Sequence, residues 1–261
     1  MTAATGLASS TLTITRRAAL RYVRTPQLIV MATLQMSLFF LIYRYMFGGA
    51  IDTGPIAYVD YLVPGFVATG VLFSGIGAAV ATAEDLEHGF VDRLRSLPIP
   101  RSSVLAARAL ADTAILALAS AVTVAIAFAV GFRLHGSPLD GLAAFALVVL
   151  FGVAFEWMFV TMGLVAGTGQ AAQGLGMIVF PLAFVSSAYV PVATMPGWLQ
   201  AFAGHQPLTD MVDAVRALTL GAGASGALGH PASYYVPRAL AWSAAILAVF
   251  VPLAVARFRR G

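Results

Sequence analysis

The 261 residues carry too few charges to cover a soluble surface: 60% are hydrophobic and 10% charged, with mean hydropathy +0.88, where a globular domain has about 25% charged residues. The net charge is +4, and all 15 basic residues are arginine. Without lysine there is no nucleotide-binding P-loop, and without cysteine there is no disulfide, thiolate metal site or thiol nucleophile.

These properties describe an all-α, polytopic membrane protein. The first 25 residues lack the short apolar core of a cleaved signal peptide. Residues 9–25 instead set Arg17, Arg21 and Arg24 on one helical stripe, with Leu12, Ala19, Tyr22 and Val23 on the other side. That pattern predicts a basic amphipathic helix at headgroup level, with a solvated, orienting tail as the plainer alternative. Thr25-Pro26 marks the turn into the first membrane run.

A spanning helix takes about 20 apolar residues. Such runs cover 27–48, 58–83, 103–132, 139–166, 171–190 and 236–257, predicting six transmembrane helices. The fifth is interrupted by Gly174, Gly176 and Pro181, breakers that neighbouring helices can accommodate. With both termini cytoplasmic, the inner side holds Arg16, Arg17, Arg21, Arg24, Arg93, Arg95, Arg101, Arg108, Arg257, Arg259 and Arg260, and the outer half Arg44, Arg133, Arg216 and Arg238. Eleven against four favours that orientation. The arginines flank apolar runs and form no extended basic surface, so nucleic acid is not an expected partner.

Between the second and third runs, Leu86, Phe90, Leu94 and Leu97 recur at helical spacing opposite Glu84, His88, Asp92 and Arg95. This predicts a short cytoplasmic amphipathic helix over 84–98, acidic at its start, basic at its end, and stopped by Pro98 and Pro100. It suits docking to a soluble partner or resting on lipid.

Residues 191–235, between the fifth and sixth runs, are too many for a structureless loop. Met195–Ala203 is too short to span and too apolar for water. Pro207 and Asp210 fit a first helical turn, Leu208, Val212 and Val215 form a face, Asp213 and Arg216 can pair, and Gly221 provides a stop. Two short helices dipping into the outer leaflet are expected, with a plain extracellular loop as the alternative.

Glu156 falls near the middle of the fourth run. An intramembrane carboxylate is costly and so marks either function or a protonated interhelical bond; Phe155 and Trp157 flank it. Asp112 can pair with Arg108, and Arg44 can snorkel or pair with Asp60. His88, His135, His205 and His230 lack ligand spacing, so no metal site is expected.

The order of these features resembles the permease subunits of type 2 ATP-binding-cassette (ABC) exporters, in particular the daunorubicin-resistance branch, over essentially the whole chain. The resemblance rests on Glu84–Arg101 with Leu97-Pro98, on Met195-Pro196-Gly197-Trp198-Leu199-Gln200, on His205-Gln206-Pro207 and on Arg216. Many relatives have asparagine-proline in place of Gln206-Pro207. The resemblance implies one permease domain over 1–261 in the cell's inner membrane, surrounded by lipid and paired with a second copy or a paralogue. Two separate cytoplasmic ATPase subunits, carrying ATP and magnesium, would dock at Glu84, Asp85, Glu87, Phe90, Arg93, Leu94, Leu97 and Pro98. The substrate pathway or outer gate would involve Glu156, Trp157, Phe180, Pro191, Trp198, His205, Gln206 and Pro207. The chain itself would bind no cofactor and carry no catalytic residue.

Two rival readings follow from the residues alone. A proton-coupled drug transporter could use Glu156, but one carboxylate is thin for a relay and no internal repeat is visible. A membrane-embedded enzyme would need nucleophile, base and orienting group to converge, and only isolated candidates are present.

Overall fold

The computed structural model describes residues 38–51, 53–54, 56–89 and 101–260, and among them every regular element is helical. The segment 9–25 and the start of the first run lie outside these residues. The helices are α1 (Leu38–Phe47), α2 (Tyr58–Glu87), α3 (Arg101–Ala129), α4 (Pro138–Ala166) and α5 (Gly169–Gly176). They continue with α6 (Val179–Phe184), α7 (Gly197–Ala203), α8 (Pro207–Leu220), α9 (Ala224–Leu228) and α10 (Ala232–Arg260).

Among the described residues, four helices are long and apolar enough to cross a membrane: α2, α3 over Asp112–Ala129, α4, and α10 over Ala232–Phe258. The first predicted run is described only from Leu38. The fifth is not one continuous helix but α5 and α6 in succession. Pro181 has no amide to give the Met177 carbonyl, which accepts the Phe180 amide instead at 3.1 Å, and the helix reorganises around Met177 and Ile178.

Local chemistry fixes the other boundaries. Ser137 and Asp140 form a reciprocal capping box at the start of α4, with Pro138 in its first turn. Gly167, at φ +77°, ends that helix in the left-handed region, and Thr168 caps α5 at once. The short helix expected from Glu84 does not begin there. Nothing in Ala83–Glu87 breaks a helix, so Glu84, Asp85 and Glu87 continue α2 until Gly89, at φ +66°. The remainder of that predicted helix, including Phe90, Arg93, Leu94, Leu97 and Pro98, falls in the undescribed 90–100.

Helix α2 packs along α4, and α4 along α10, around Leu62, Leu72, Phe151, Phe155 and Phe159. A Cβ on Gly163 would overlap the Ala79 carbonyl, so glycine lets the two backbones meet. Such small-residue contacts are how membrane helices gain packing without a hydrophobic driving force. Tyr58–Tyr61, the 130–137 turn, α8 and the start of α10 gather at one end; Glu84–Glu87, the Gly167–Gly169 turn and Phe258 gather at the other. Arg133, Arg216 and Arg238 lie at the first end and Arg257 toward the second.

Candidate functional site

The chain between α6 and α7 leaves helical geometry at Val185 and runs buried through Ser186–Tyr189. Irregular backbone within a membrane protein is tolerated only where protein groups satisfy it, and here side chains of α2, of α8 and of Gln206 just ahead of α8 do so. Gln206, ahead of α8, donates through Nε2 to the Leu182 carbonyl at 3.0 Å and to the Val185 carbonyl. Thr209 Oγ1 accepts the Ser187 amide at 3.3 Å, and the Tyr61 hydroxyl donates to the Ser187 carbonyl at 2.9 Å. A Cβ on Gly65 would overlap the Ala188 backbone, so glycine admits the break against α2. Tyr189 completes the contact by donating to Thr69 Oγ1 at 2.8 Å.

Arg216 of α8 is the hub. Its side chain has no solvent exposure, and its guanidinium stacks 3.7 Å from the Tyr61 ring centre. Nε and Nη2 donate to the Tyr61 carbonyl at 3.2 and 3.0 Å, Nη2 also to the Ser187 carbonyl at 2.9 Å, and Nη1 to Asp213 Oδ1 at 2.6 Å. Ser187 Oγ donates to the same Asp213 oxygen at 2.8 Å. Burial pushes the Asp213 carboxyl upward from its usual range, while the Arg216 charge and the Ser187 hydroxyl pull it down. The i, i+3 pair expected from sequence thus holds α2, the break and α8 together.

One turn away, Asp210 joins α8 to α10. Arg238 Nε and Nη2 reach its two oxygens at 2.8 and 3.2 Å, and Trp242 Nε1 donates to Oδ2 at 3.0 Å. Between these networks opens a polar cavity of about 570 Å³, walled by Tyr61, Ser187, Asp213, Arg216, Tyr234 and Tyr235, with Pro191, His205 and His230 also lining it. Asp60 accepts the Arg133 amide at 2.9 Å and faces His135 at 3.8 Å, so its recorded partners come from the 130–137 turn and not from Arg44.

A family model described as ABC-2 type transporter matches residues 9–220. The chain belongs to the ABC-2 type transporter family. It is 31% identical over 252 residues to the daunorubicin resistance ABC transporter permease protein of Streptomyces coeruleorubidus, covering 96% of this chain and 86% of the relative. Over 253 residues it is 27% identical to a probable doxorubicin resistance ABC transporter permease protein of Mycobacterium tuberculosis, covering 95% and 87%. A putative transport permease of Porphyra purpurea is 26% identical over 189 residues, covering 67% and 63%. The chain is thus a multi-pass permease subunit, a membrane component and not an enzyme.

The structure of this ABC-2 permease separates the residues singled out from its sequence. Pro191, His205, Gln206 and Pro207 meet around the break and the polar cavity, with Pro207 in the first turn of α8. Trp198, on α7, is 77% exposed and does not line the polar cavity. Phe180 stacks on Phe73 with ring centres 4.7 Å apart. Glu156 is buried within α4, and neighbouring Trp157 packs toward Ala254 and Phe258 of α10; none of Glu156, Trp157 and Phe180 lines the polar cavity. At the opposite end Glu87 accepts the Gly169 amide at 3.4 Å, tying the end of α2 to the start of α5. Sequence reasoning passed over Tyr61, Ser187, Thr209 and Trp242.

Proposed function

We propose that the permease exports an amphipathic or hydrophobic molecule, such as a drug, antibiotic or lipid-like compound, powered by separate ATPase subunits. The reading is carried by one observation: near full-length similarity to a permease named for daunorubicin resistance. On this reading it sits in the cell's inner membrane with both termini cytoplasmic and works beside a second permease, copy or paralogue. The ATPase docks at the Glu84–Pro98 segment. A helix 30 residues long rises about 45 Å, more than the ~30 Å hydrocarbon core, which supports carrying Glu84, Asp85 and Glu87 past the bilayer to where a soluble partner can reach them. The clamped break and α8 serve as the outer gate, moving with α2 and α10 because Arg216 and Asp210 bind them to both.

The test is co-expression with an ABC ATPase subunit from the same organism, followed by ATP-dependent uptake of daunorubicin into inverted membrane vesicles. Combined Glu84→Arg and Arg93→Glu should abolish both co-purification of the ATPase and uptake. Unchanged assembly and uptake would reject the docking segment. Transport by the permease without any ATPase would reject the ABC exporter reading itself.

A further inference from the structure

A second cavity, of about 310 Å³, lies between α2, α3, α4 and α8 and is lined by apolar side chains including Val67, Phe128, Phe132, Ala144 and Phe145. Thr219 carries the one hydroxyl in its lining, and that hydroxyl donates to the Arg216 carbonyl at 3.0 Å. Nothing in the wall therefore asks for water, and apolar cavities of about half this volume stay dry and take up small hydrocarbons. Its α2 wall, Val63 to Val67, lies five to nine residues beyond Tyr58, or roughly 8–14 Å in from the helix start. That is the depth of one leaflet of a bilayer whose core is about 30 Å thick.

The rim is built differently. Arg133 is exposed between two lining residues, Phe132 and Leu134, and its Nη1 donates to the Phe128 and Phe132 carbonyls at 3.1 and 3.0 Å. The guanidinium is therefore held against the backbone of two residues that wall the cavity. Of the two carboxylates nearby, Asp60 accepts the Arg133 backbone amide and faces His135, and Asp140 is held by Ser137, so the Arg133 guanidinium keeps to the Phe128 and Phe132 carbonyls. Beside the mouth on α4, Leu139 and Leu142 are 73% and 64% exposed, as expected of a surface that faces hydrocarbon.

We propose that this cavity is a structural lipid site, holding one acyl chain of a phospholipid from the leaflet at that end of the bundle, its phosphate met by Arg133. An apolar pocket at leaflet depth beneath a fixed interfacial cation matches both halves of that molecule. The site is separate from the polar cavity and from the transport reading; it needs only that the chain is membrane-embedded.

Native mass spectrometry of the purified permease should show one phospholipid per chain that resists removal, and Ala144→Phe, which fills the cavity, should abolish it. Arg133→Gln should weaken retention several-fold while the protein stays monodisperse. Should Ala144→Phe misfold, Phe145→Trp gives an independent reading: the introduced indole should be quenched by phosphatidylglycerol with brominated acyl chains at least twofold more than indoles of the unsubstituted protein. Retention unaltered by Ala144→Phe in folded protein, or no excess quenching, overturns the proposal. So does a change of oligomeric state on filling the cavity with lipid content constant, since the occupant would then be a second copy. Displacement of the lipid by daunorubicin at micromolar concentration would overturn it in favour of cargo.

Discussion

Replacing Arg216 by methionine keeps a long apolar stem and removes the charge. Four recorded hydrogen bonds go with it, to the Tyr61 and Ser187 carbonyls and to Asp213. The Ser187 carbonyl keeps the Tyr61 hydroxyl, and the Tyr61 carbonyl lies within α2, where the helix ladder serves it, so the group left uncompensated is the Asp213 carboxylate, which keeps only the Ser187 hydroxyl. Breaking one side of a buried ion pair costs about 3–5 kcal/mol. A loss of roughly 4 kcal/mol or more is expected, which at about 2–4 °C per kcal/mol is a melting-temperature drop on the order of 10 °C. Burial already holds the folded pKa of Asp213 above its unfolded value with Arg216 present, and losing the counter-charge raises it further, so the variant's extra loss is greatest where the unfolded chain is ionised. Its deficit should shrink as pH falls from 8 toward 5. Adding Asp213→Asn should recover a large part of the loss, because the orphaned charge is then gone. Thermal unfolding of wild type, both single variants and the double variant in one detergent at two pH values measures all of this. A deficit under about 1 kcal/mol, or one that grows toward acid, would refute the hub assignment.

Gly65→Ala should prevent the break from docking on α2, because the new methyl overlaps the Ala188 backbone; a cost of about 1–3 kcal/mol and faster protease cleavage near 185–191 are expected. Gln206→Leu removes the donor to the Leu182 and Val185 carbonyls and should cost about 1–3 kcal/mol. Gln206→Asn, which keeps the amide, should fall between Leu and wild type in the same melting assay. Asp210→Asn should weaken the α8–α10 contact, since the bidentate Arg238 pair loses its charge; the measurement is ATP-dependent uptake beside a melting curve, with uptake falling further than stability. Glu156→Gln should likewise change transport more than folding; unchanged uptake with a large loss of folded protein would make this carboxyl structural.

Much of the architecture was legible because the bilayer is a demanding solvent. It forces long uninterrupted apolar helices, so the runs at 58–83, 139–166 and 236–257 became α2, α4 and α10 with little shift in their bounds. Capping chemistry was equally local, as Pro207, Gly221 and the Asp213–Arg216 spacing show, each taking its expected place in or after α8. Where α2 ends was less legible, because an amphipathic pattern after Glu84 reads the same whether it starts a new helix or extends the old one. Composition, periodicity and arginine placement thus determined that this chain crosses a membrane and which residues share an end. Only the tertiary structure decided what replaces a continuous fifth helix. The carbonyls freed at Leu182, Val185 and Ser187 find their donors in Gln206, Tyr61 and Arg216, between 21 and 126 residues away along the chain. A local pattern records that a helix must break, but the partners that make the break tolerable are brought to it by folding.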